Sequence, residues 1–234
     1  MSSHENAKLI CIDTSTFTES IALVEGQRLI AEKQVYRNRG HASGLHYDLS
    51  ELVQAHQWQL EDVDGIVCGI GPGSFTGMRV GLAACKGLAY ALQKPLYAIP
   101  TTFALLSAVA TVENAYAVVD ARRGEIYVQG PNMVAQCWTL EALLTHWQQQ
   151  DSTPQLLIGE GALKYTDQFQ QAFPKISIPQ HTAFHTPRAS LLALHIDQPA
   201  DIDSLQPIYV RASDAEINYP NGFPSEARLF KTAQ

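Results

Sequence analysis

The chain has 234 residues, of which 46% are hydrophobic, so it can bury a large core in one large domain or two small ones. Its formal net charge of −7 argues against a protein that holds nucleic acid by itself, because such proteins usually carry a basic surface. The polar residues 1–6 and the interruption of the best apolar run by Lys86 argue against a signal peptide and a membrane span. Four cysteines without a CxxC pair indicate reduced thiols and a cytoplasmic protein.

The first half of the chain alternates short apolar segments with amphipathic ones, which predicts strands and helices in turn. Strands are predicted at residues 9–13, 20–24, 29–35, 65–68 and 96–99. Helices are predicted at residues 44–56, 78–92 and 101–110, with Thr101 as the N-cap of the third.

The second half repeats this opening. Strands are predicted at residues 116–120, 125–128 and 156–158, and helices at residues 140–150, 165–172 and 187–195. Both halves begin with a strand that ends in an aspartate, Asp13 or Asp120, which predicts a duplicated α/β architecture. We expect an N-terminal subdomain at 1–104, a C-terminal subdomain at 105–211, and an extended or disordered tail at 212–234, where the sequence becomes polar and proline-rich.

The most distinctive segment is a glycine-rich stretch between a predicted strand and a predicted helix, residues 71–81 with the sequence GPGSFTGMRVG. Such a turn packs tightly, and the helix that follows presents backbone N–H groups that suit an anion. The stretch lacks the lysine that a P-loop carries after its last glycine. It also lacks the glycines that a nucleophile elbow has two residues before and two residues after its serine. No strand that ends in an acidic residue follows, as a dinucleotide-binding motif would require. A tight strand-to-helix turn is therefore favoured over a catalytic role for Ser74.

This loop resembles the hallmark loop of the bacterial TsaB proteins, also called YeaZ. Three other segments resemble the same family in the family's order: residues 12–16 (IDTST), 120–127 (DARRGEIY) and 207–211 (PIYVR). The resemblance spans about residues 8–211. It implies the duplicated fold of the actin, sugar-kinase and heat-shock ATPase superfamily, with two α/β subdomains built on mixed sheets.

The resemblance also implies a function in tRNA processing. TsaB proteins are the non-catalytic partners of TsaD, which transfers threonylcarbamoyl from threonylcarbamoyl-adenylate to the adenosine adjacent to the anticodon. The expected partners are a TsaD-like catalytic subunit and a TsaE-like ATPase, with a homodimer when the chain is alone and tRNA bound only through the complex. No cofactor of its own is expected, and ATP or ADP at the interface of the complex stays an open alternative.

The histidines give no metal site. By resemblance, the metal-binding histidines of TsaD correspond to Thr101 and Leu105, and neither residue binds a metal as histidine does. Four histidines lack the spacing of a helical metal pair and are expected to be solvated or to cap helices: His41, His46, His185 and His195. We therefore predict no metal and no catalytic residue in this chain.

The turn after the first strand is a candidate for weak phosphate binding, together with the glycine-rich loop. The candidate contacts are Asp13, Thr14, Ser15, Gly73 and Ser74. The alternative is a strand end with turn-forming hydroxyl groups. A working ATPase of this superfamily would repeat a glycine-rich turn in the second half, whereas here Arg122 and Arg123 occupy it.

The expected partner surface is formed by the helices predicted at 44–56 and 78–92. By resemblance, TsaB pairs with TsaD or with itself by packing these helices into a bundle. The candidate contacts are Leu45, Leu49, Leu52, Gly77, Gly81, Ala84, Cys85 and Leu88. The alternative is that the small residues pack against the chain's own sheet.

Two other functions stay open. One is a glycoprotease-like peptidase, a label that relatives have carried, although the sequence shows no nucleophile–base pair or metal set for it. The other is a small-molecule kinase or ATPase of the same fold, against which Arg122 and Arg123 argue.

Overall fold

The computed structural model describes residues 6–37, 44–150 and 154–211. Two mixed sheets form its framework. The strands of the first sheet are β1 (Lys8–Asp13), β2 (Thr18–Glu25), β3 (Arg28–Tyr36), β4 (Gly65–Gly69) and β5 (Leu96–Ile99). Their order is β3-β2-β1-β4-β5, with β1 to β3 antiparallel and with β4 and β5 added in parallel beside β1.

The second sheet repeats this plan on a smaller scale. Its strands are β6 (Ala115–Arg122), β7 (Glu125–Gln129), β8 (Gln136–Thr139) and β9 (Leu156–Ile158). The order is β8-β7-β6-β9, again an antiparallel meander with a parallel strand beside its first member. The predicted fold class, two α/β subdomains with mixed sheets, is confirmed.

Helices cover both faces of the first sheet. The helices are α1 (Leu45–Ala55), α2 (Phe75–Leu92), α3 (Thr101–Ser107), α4 (Leu140–Gln148), α5 (Glu160–Lys164), α6 (Thr166–Ala172) and α7 (Ala189–Leu192). Alternate residues of β1 point to opposite faces, so Ile10 and Ile12 pack under α1 and α2. Leu9 and Cys11 pack on the other face, against α3 and α7. This double burial explains why β1 reads as a continuous apolar run.

The chain returns to the first sheet near its end. Ala189 and Leu192 of α7 are buried against β1, β2 and β4, although α7 follows the whole second sheet in sequence. α3 is shared, because Ala104 faces the first sheet while Leu105 lies in the core of the second. The predicted division into 1–104 and 105–211 assigned α7 to the second subdomain, whereas α7 packs on the first sheet. The predicted tail, 212–234, lies outside the described residues.

Several element boundaries differ from those predicted. α2 begins at Phe75 rather than at residue 78, because the Ser74 hydroxyl accepts the Gly77 N–H (3.2 Å) and caps the helix. Thr101 is the first residue of α3 rather than its N-cap, which is Pro100, and its hydroxyl is bonded elsewhere. Strand β8 was not predicted. Within the described ranges, no helix is both long and apolar enough to cross a membrane.

Candidate functional site

The turn after β1 is sealed inside the protein. Asp13, Thr14 and Ser15 are fully buried. Oδ1 of Asp13 accepts the backbone N–H of Ser15 (2.8 Å) and lies 2.7 Å from its hydroxyl oxygen, while the Thr101 hydroxyl donates to Oδ2 (2.6 Å). Thr101 in turn accepts the Gly71 N–H (3.1 Å). Both carboxylate oxygens therefore have protein partners.

The glycine-rich loop lies directly on this turn. The Ser74 N–H donates to the Ser15 carbonyl (2.6 Å), and the Thr14 hydroxyl donates to the Gly77 carbonyl (2.7 Å). A Cβ atom at Gly73 would overlap with the Ser15 carbonyl, and one at Gly77 with the Thr14 carbonyl. These glycines thus serve close packing, as the strand-to-helix alternative requires.

This packing argues against a phosphate contact at three of the five predicted residues. Asp13, Thr14 and Ser15 are fully buried and offer no open surface to an anion, whereas Gly73 and Ser74 line a cleft. Ser74 is partly exposed, but its hydroxyl is occupied by the cap of α2. The loop and turn therefore act as a structural joint here.

The two positions at which the resemblance predicts the TsaD metal ligands are also structural. Thr101 is fully buried in the Asp13 network, and Leu105 is buried in the second core. The part of the chain that the structure describes contains no group of three His, Cys, Asp or Glu side chains that could hold a metal.

Two of the four predicted surface histidines are not simply solvated. His185 is buried rather than solvated, with its ring nitrogens facing the Gly159 and Pro179 carbonyls at 3.0 and 2.5 Å. It is nevertheless a capping residue, because its backbone N–H donates to the Thr182 carbonyl (2.9 Å) at the end of the short helix Thr182–Phe184. Nε2 of His195 lies 2.6 Å from the Ser107 hydroxyl, and burial lowers the pKa of this half-buried ring. His41 lies outside the described residues.

A cleft of about 530 Å³ separates the two halves. Its first wall is formed by Phe17 of the β1–β2 turn and by the start of α2 at Ser74 and Phe75. The second wall carries charge: Asp120 accepts a hydrogen bond from Lys164 (2.9 Å), and the Arg122 guanidinium lies 4.7 Å from the centre of the Phe17 ring.

Glu160 is the charged residue of this cleft that the sequence did not reveal. Burial, together with the nearby charge of Asp120, raises its pKa to about 7, against the opposing effect of a hydrogen bond from the Phe17 backbone. The sequence showed Gly159-Glu160-Gly161 only as the end of a strand. A carboxylate between two glycines at the end of a buried strand is the signal that could have found it.

The segment 207–211 bridges the mouth of the cleft. On the first half, the Ile208 N–H donates to the Ile70 carbonyl (2.9 Å), and Nε of Arg79 donates to the Tyr209 hydroxyl (2.9 Å). On the second half, Arg211 forms an ion pair with Glu125. The PIYVR segment therefore ties the two subdomains together.

The candidate partner helices present a different face from the one predicted. Six of the eight predicted contacts are buried in the chain's own structure: Leu45, Leu49, Leu52, Gly77, Gly81 and Cys85. At Gly81, an added Cβ atom would overlap with Oγ1 of Thr14, so this ridge of α2 faces the β1 turn. The predicted ridge is thus corrected in favour of the packing alternative, while Ala84 and Leu88 remain partly exposed.

The open face of α2 forms an apolar groove with α1. The groove has a volume of about 500 Å³ and is lined by Leu45, His46, Val80, Ala83, Ala84, Gly87 and Leu88. Among the described residues, a Cβ atom at Gly87 would meet no heavy atom within 4 Å beyond its own helix, so the packing of this part of the chain does not require a glycine there. The groove is the surface of α1 and α2 that another helix could reach.

Buried ion pairs hold α1 in place beside this groove. Nζ of Lys33 lies 2.8 Å from Oδ1 of Asp48, and Arg37 bridges Asp48 and the buried Glu19. Burial favours a neutral Asp48, but the hydrogen bond with Lys33 and the charges of Lys33 and Arg37 outweigh it and lower the pKa. The α1 wall is therefore anchored by charge as well as by apolar contact.

The chain resembles known proteins over most of its length. A sequence model of the TsaD family, described as tRNA N6-adenosine threonylcarbamoyltransferase, matches residues 35–219. The Bacillus subtilis protein named tRNA threonylcarbamoyladenosine biosynthesis protein TsaB is 27% identical over 228 residues, which are 90% of this chain and 97% of that protein. The Haemophilus influenzae protein of the same name is 33% identical over 127 residues, 53% of each chain.

A solved structure shows the same fold. It is a Pseudomonas aeruginosa protein described as similar to the peptidase YeaZ, with a TM-score of 0.72 and 24% identity, covering 88% of this chain and 100% of that one. Together with the four sequence segments, these matches agree on one assignment. The chain belongs to the TsaD family of tRNA N6-adenosine threonylcarbamoyltransferases and is, within it, a TsaB/YeaZ protein.

Proposed function

We propose that this protein is the non-catalytic subunit of the complex that makes threonylcarbamoyladenosine in tRNA. A TsaD-like partner would transfer the threonylcarbamoyl group, and this chain would support that partner from the cytoplasm. The names of the B. subtilis and H. influenzae relatives support the pathway.

One observation carries the accessory role. Thr101 and Leu105 stand where the resemblance places the TsaD metal ligands, and both are committed to the fold: Thr101 binds Asp13 and Leu105 fills the second core. A hydroxyl group bonded to a buried carboxylate and a leucine side chain cannot replace two imidazoles as ligands. The chain would thus keep the fold of the transferase without its metal chemistry.

The partner would dock on the groove between α1 and α2. Val80, Ala83, Ala84 and Gly87 form a shallow, small-residue surface, and small residues let a facing helix approach closely. A second copy of this chain would occupy the same surface when the partner is absent. A TsaE-like ATPase and tRNA would join through the assembled complex, because the chain's net charge of −7 supplies little affinity for phosphates.

Co-purification with the TsaD-like protein of the same organism tests this proposal. Ala83 is exposed in the groove, so Ala83→Arg places a charge and a long side chain there without entering the core. We expect this variant to lose the partner and to reduce threonylcarbamoyladenosine in cellular tRNA, measured by nucleoside analysis, with an unchanged melting temperature.

Gln148→Arg is the matched control, because Gln148 is an exposed helical residue on α4 in the second subdomain. It should retain both the partner and the modification. Full partner binding by Ala83→Arg would show that the groove is not the docking surface. Normal tRNA modification in cells without this protein would contradict the proposed function itself.

A further inference from the structure

Another cavity opens beside α3, on the face of the first sheet that α3 and α7 cover. Its volume is about 660 Å³, and its walls are formed by α3, the start of β6, the loop after β7 and the short turn Ala193–His195. Helices α1 and α2 pack on the opposite face of that sheet, and the residues that line their groove differ from those that line this α3 cavity. A ligand in the α3 cavity would therefore leave the groove open to a partner.

Apolar side chains form most of the wall of the α3 cavity. Phe103, Leu106 and Val109 contribute from α3 and from the residues after it, and Met133 and Val134 contribute from the loop after β7. Val134 keeps 77% of its surface exposed although it is apolar. Small-molecule sites typically enclose about 300–1,000 Å³ between apolar walls that carry a few placed polar groups. The α3 cavity has this size and this kind of wall, so its polar groups decide what it can hold.

Gln129, the last residue of β7, brings a buried amide to the α3 cavity. The residue is 6% exposed, and its Oε1 accepts a hydrogen bond from the Thr102 hydroxyl. Among the described residues, none accepts a hydrogen bond from the amide N–H groups of this side chain. Buried donors in folded proteins are nearly always paired, because an unpaired donor loses its hydration without compensation. An acceptor atom of a ligand in the cavity would satisfy this donor.

A hydroxyl–imidazole pair is the second polar feature of the wall. Nε2 of His195 lies 2.6 Å from the Ser107 hydroxyl oxygen, and both residues line the cavity. Burial lowers the pKa of His195, so the ring is neutral at pH 7. In either tautomer of the ring, the Ser107 oxygen keeps a lone pair for an N–H group of a ligand. The pair thus offers an acceptor beside the donor that Gln129 provides.

The charge of the wall argues against an ionised ligand. Glu113 is the one carboxylate among the described residues that line the cavity, and neither lysine nor arginine occurs among them. A carboxylate or phosphate would meet apolar side chains and this negative charge without a cation to balance it. An ammonium or amidinium group would lose hydration against the same apolar wall and would bring no acceptor for the Gln129 amide. A neutral ligand suits the cavity best.

We propose that the α3 cavity binds a small neutral carboxamide with an apolar body. The carbonyl oxygen of the ligand accepts a hydrogen bond from the Gln129 amide, its N–H group donates to the Ser107 oxygen, and its apolar body packs against Phe103. Both sheets contribute to the site, because α3 packs on the first sheet and Gln129 belongs to the second. Binding requires neither a TsaD-like partner nor tRNA, so the site is independent of the proposed function.

Benzamide, a phenyl ring with one carboxamide group, is the probe that tests the site. In a nuclear magnetic resonance titration of the full chain, we expect the side-chain amide signals of Gln129 to shift to saturation with a Kd on the order of 1 mM, as the small size of the probe implies. Benzoate and benzamidine have the same ring but carry a charge, and they should bind at least about fivefold more weakly. The absence of a saturable shift at Gln129, or equal binding of the three probes, would overturn the proposal.

Two variants separate the hydrogen bond from the shape of the cavity. Gln129→Met keeps a side chain of similar length without the N–H donor, so benzamide should bind about 3- to 10-fold more weakly. Val134→Arg places a long charged side chain on the exposed wall without entering the core, and it should also weaken binding, even if Gln129→Met does not fold. Leu29→Arg, at an exposed apolar position on β3, is the matched control and should bind benzamide as the unmodified chain does. Unchanged binding by Val134→Arg would place the probe elsewhere and contradict the site.

Discussion

Gly81 and Gly87 lie six residues apart on α2, but their surroundings are opposite. At Gly81 a Cβ atom would overlap with Oγ1 of Thr14, a hydroxyl group that already donates to the Gly77 carbonyl. At Gly87 no heavy atom of the described residues outside its own helix lies within 4 Å of an added Cβ. Both glycines destabilise the helix because glycine loses more backbone entropy on folding than other residues. Only Gly81 offsets this cost, because it allows the β1 turn to pack closely against α2.

The same substitution should therefore have opposite effects at the two positions. Gly87→Ala should raise the free energy of unfolding by about 0.5–1 kcal/mol, because it restores helix propensity in open space. Gly81→Ala should lower it by about 1–3 kcal/mol, because the new methyl group must displace Thr14 from a buried turn. Denaturant unfolding of the two variants measures both changes. Equal effects would show that Thr14 yields without cost and that the turn is not tightly packed.

Polar side chains of the first sheet hold α7, although α7 lies far from that sheet in sequence. Glu32 of β3 accepts the N–H and the hydroxyl group of Ser190 (3.0 Å each) and binds Arg188 (2.9 Å). The Ala189 N–H donates to the Ser20 hydroxyl (2.9 Å), so the start of α7 is tied to two strands. These bonds fix a helix of four residues that has little stability of its own.

Replacing Glu32 should loosen this attachment. Glu32→Gln removes the charge that pairs with Arg188 and leaves a neutral oxygen for Ser190, so we expect the free energy of unfolding to fall by about 1–3 kcal/mol. Glu61→Gln, at an exposed position after α1, is the control and should change it by less than about 0.5 kcal/mol. Calorimetry or urea unfolding of the two variants measures both changes in stability. If the two variants have the same stability, the Glu32 bonds do not hold α7.

The sequence predicted elements well where their signal is local. β1 and β4 are buried on both faces and read as apolar runs, and α1 shows its helical periodicity. β8 was missed because Gln136–Thr139 is a short strand at the edge of its sheet with no buried residue. The return of α7 to the first sheet depends on Glu32 and Ser20, which no local pattern connects to it.

The candidate site was less predictable from the sequence, because its residues are brought together from distant parts of the chain. The sequence located the glycine-rich loop but could not show that Thr14 and Ser15 fill the space that its glycines leave. The helical spacing of Gly77 and Gly81 marked a close approach without telling whether the neighbour belonged to this chain. The raised pKa of Glu160 is caused by its burial in the fold and by the charge of Asp120, which lies 40 residues earlier in the chain.

At the scale of the whole molecule, two similar halves end their first strands differently. In the first half the Asp13 turn is closed over by the glycine-rich loop and by Thr101. In the second half the hairpin turn carries Arg122 into the cleft, where Glu160 lies opposite Phe17. One turn has become a structural joint and the other a contact between subdomains. This arrangement is compatible with the proposed accessory role beside a catalytic partner.

Reconstitution from purified components tests this accessory role most directly. The unmodified chain and the TsaD-like protein of the same organism are incubated, singly and together, with threonylcarbamoyl-adenylate and tRNA, and the modified nucleoside is quantified by mass spectrometry. The account predicts that the chain alone gives no more modification than a reaction without protein, and that adding it to the TsaD-like protein increases the yield. Robust modification of tRNA by the pure chain alone would contradict the account.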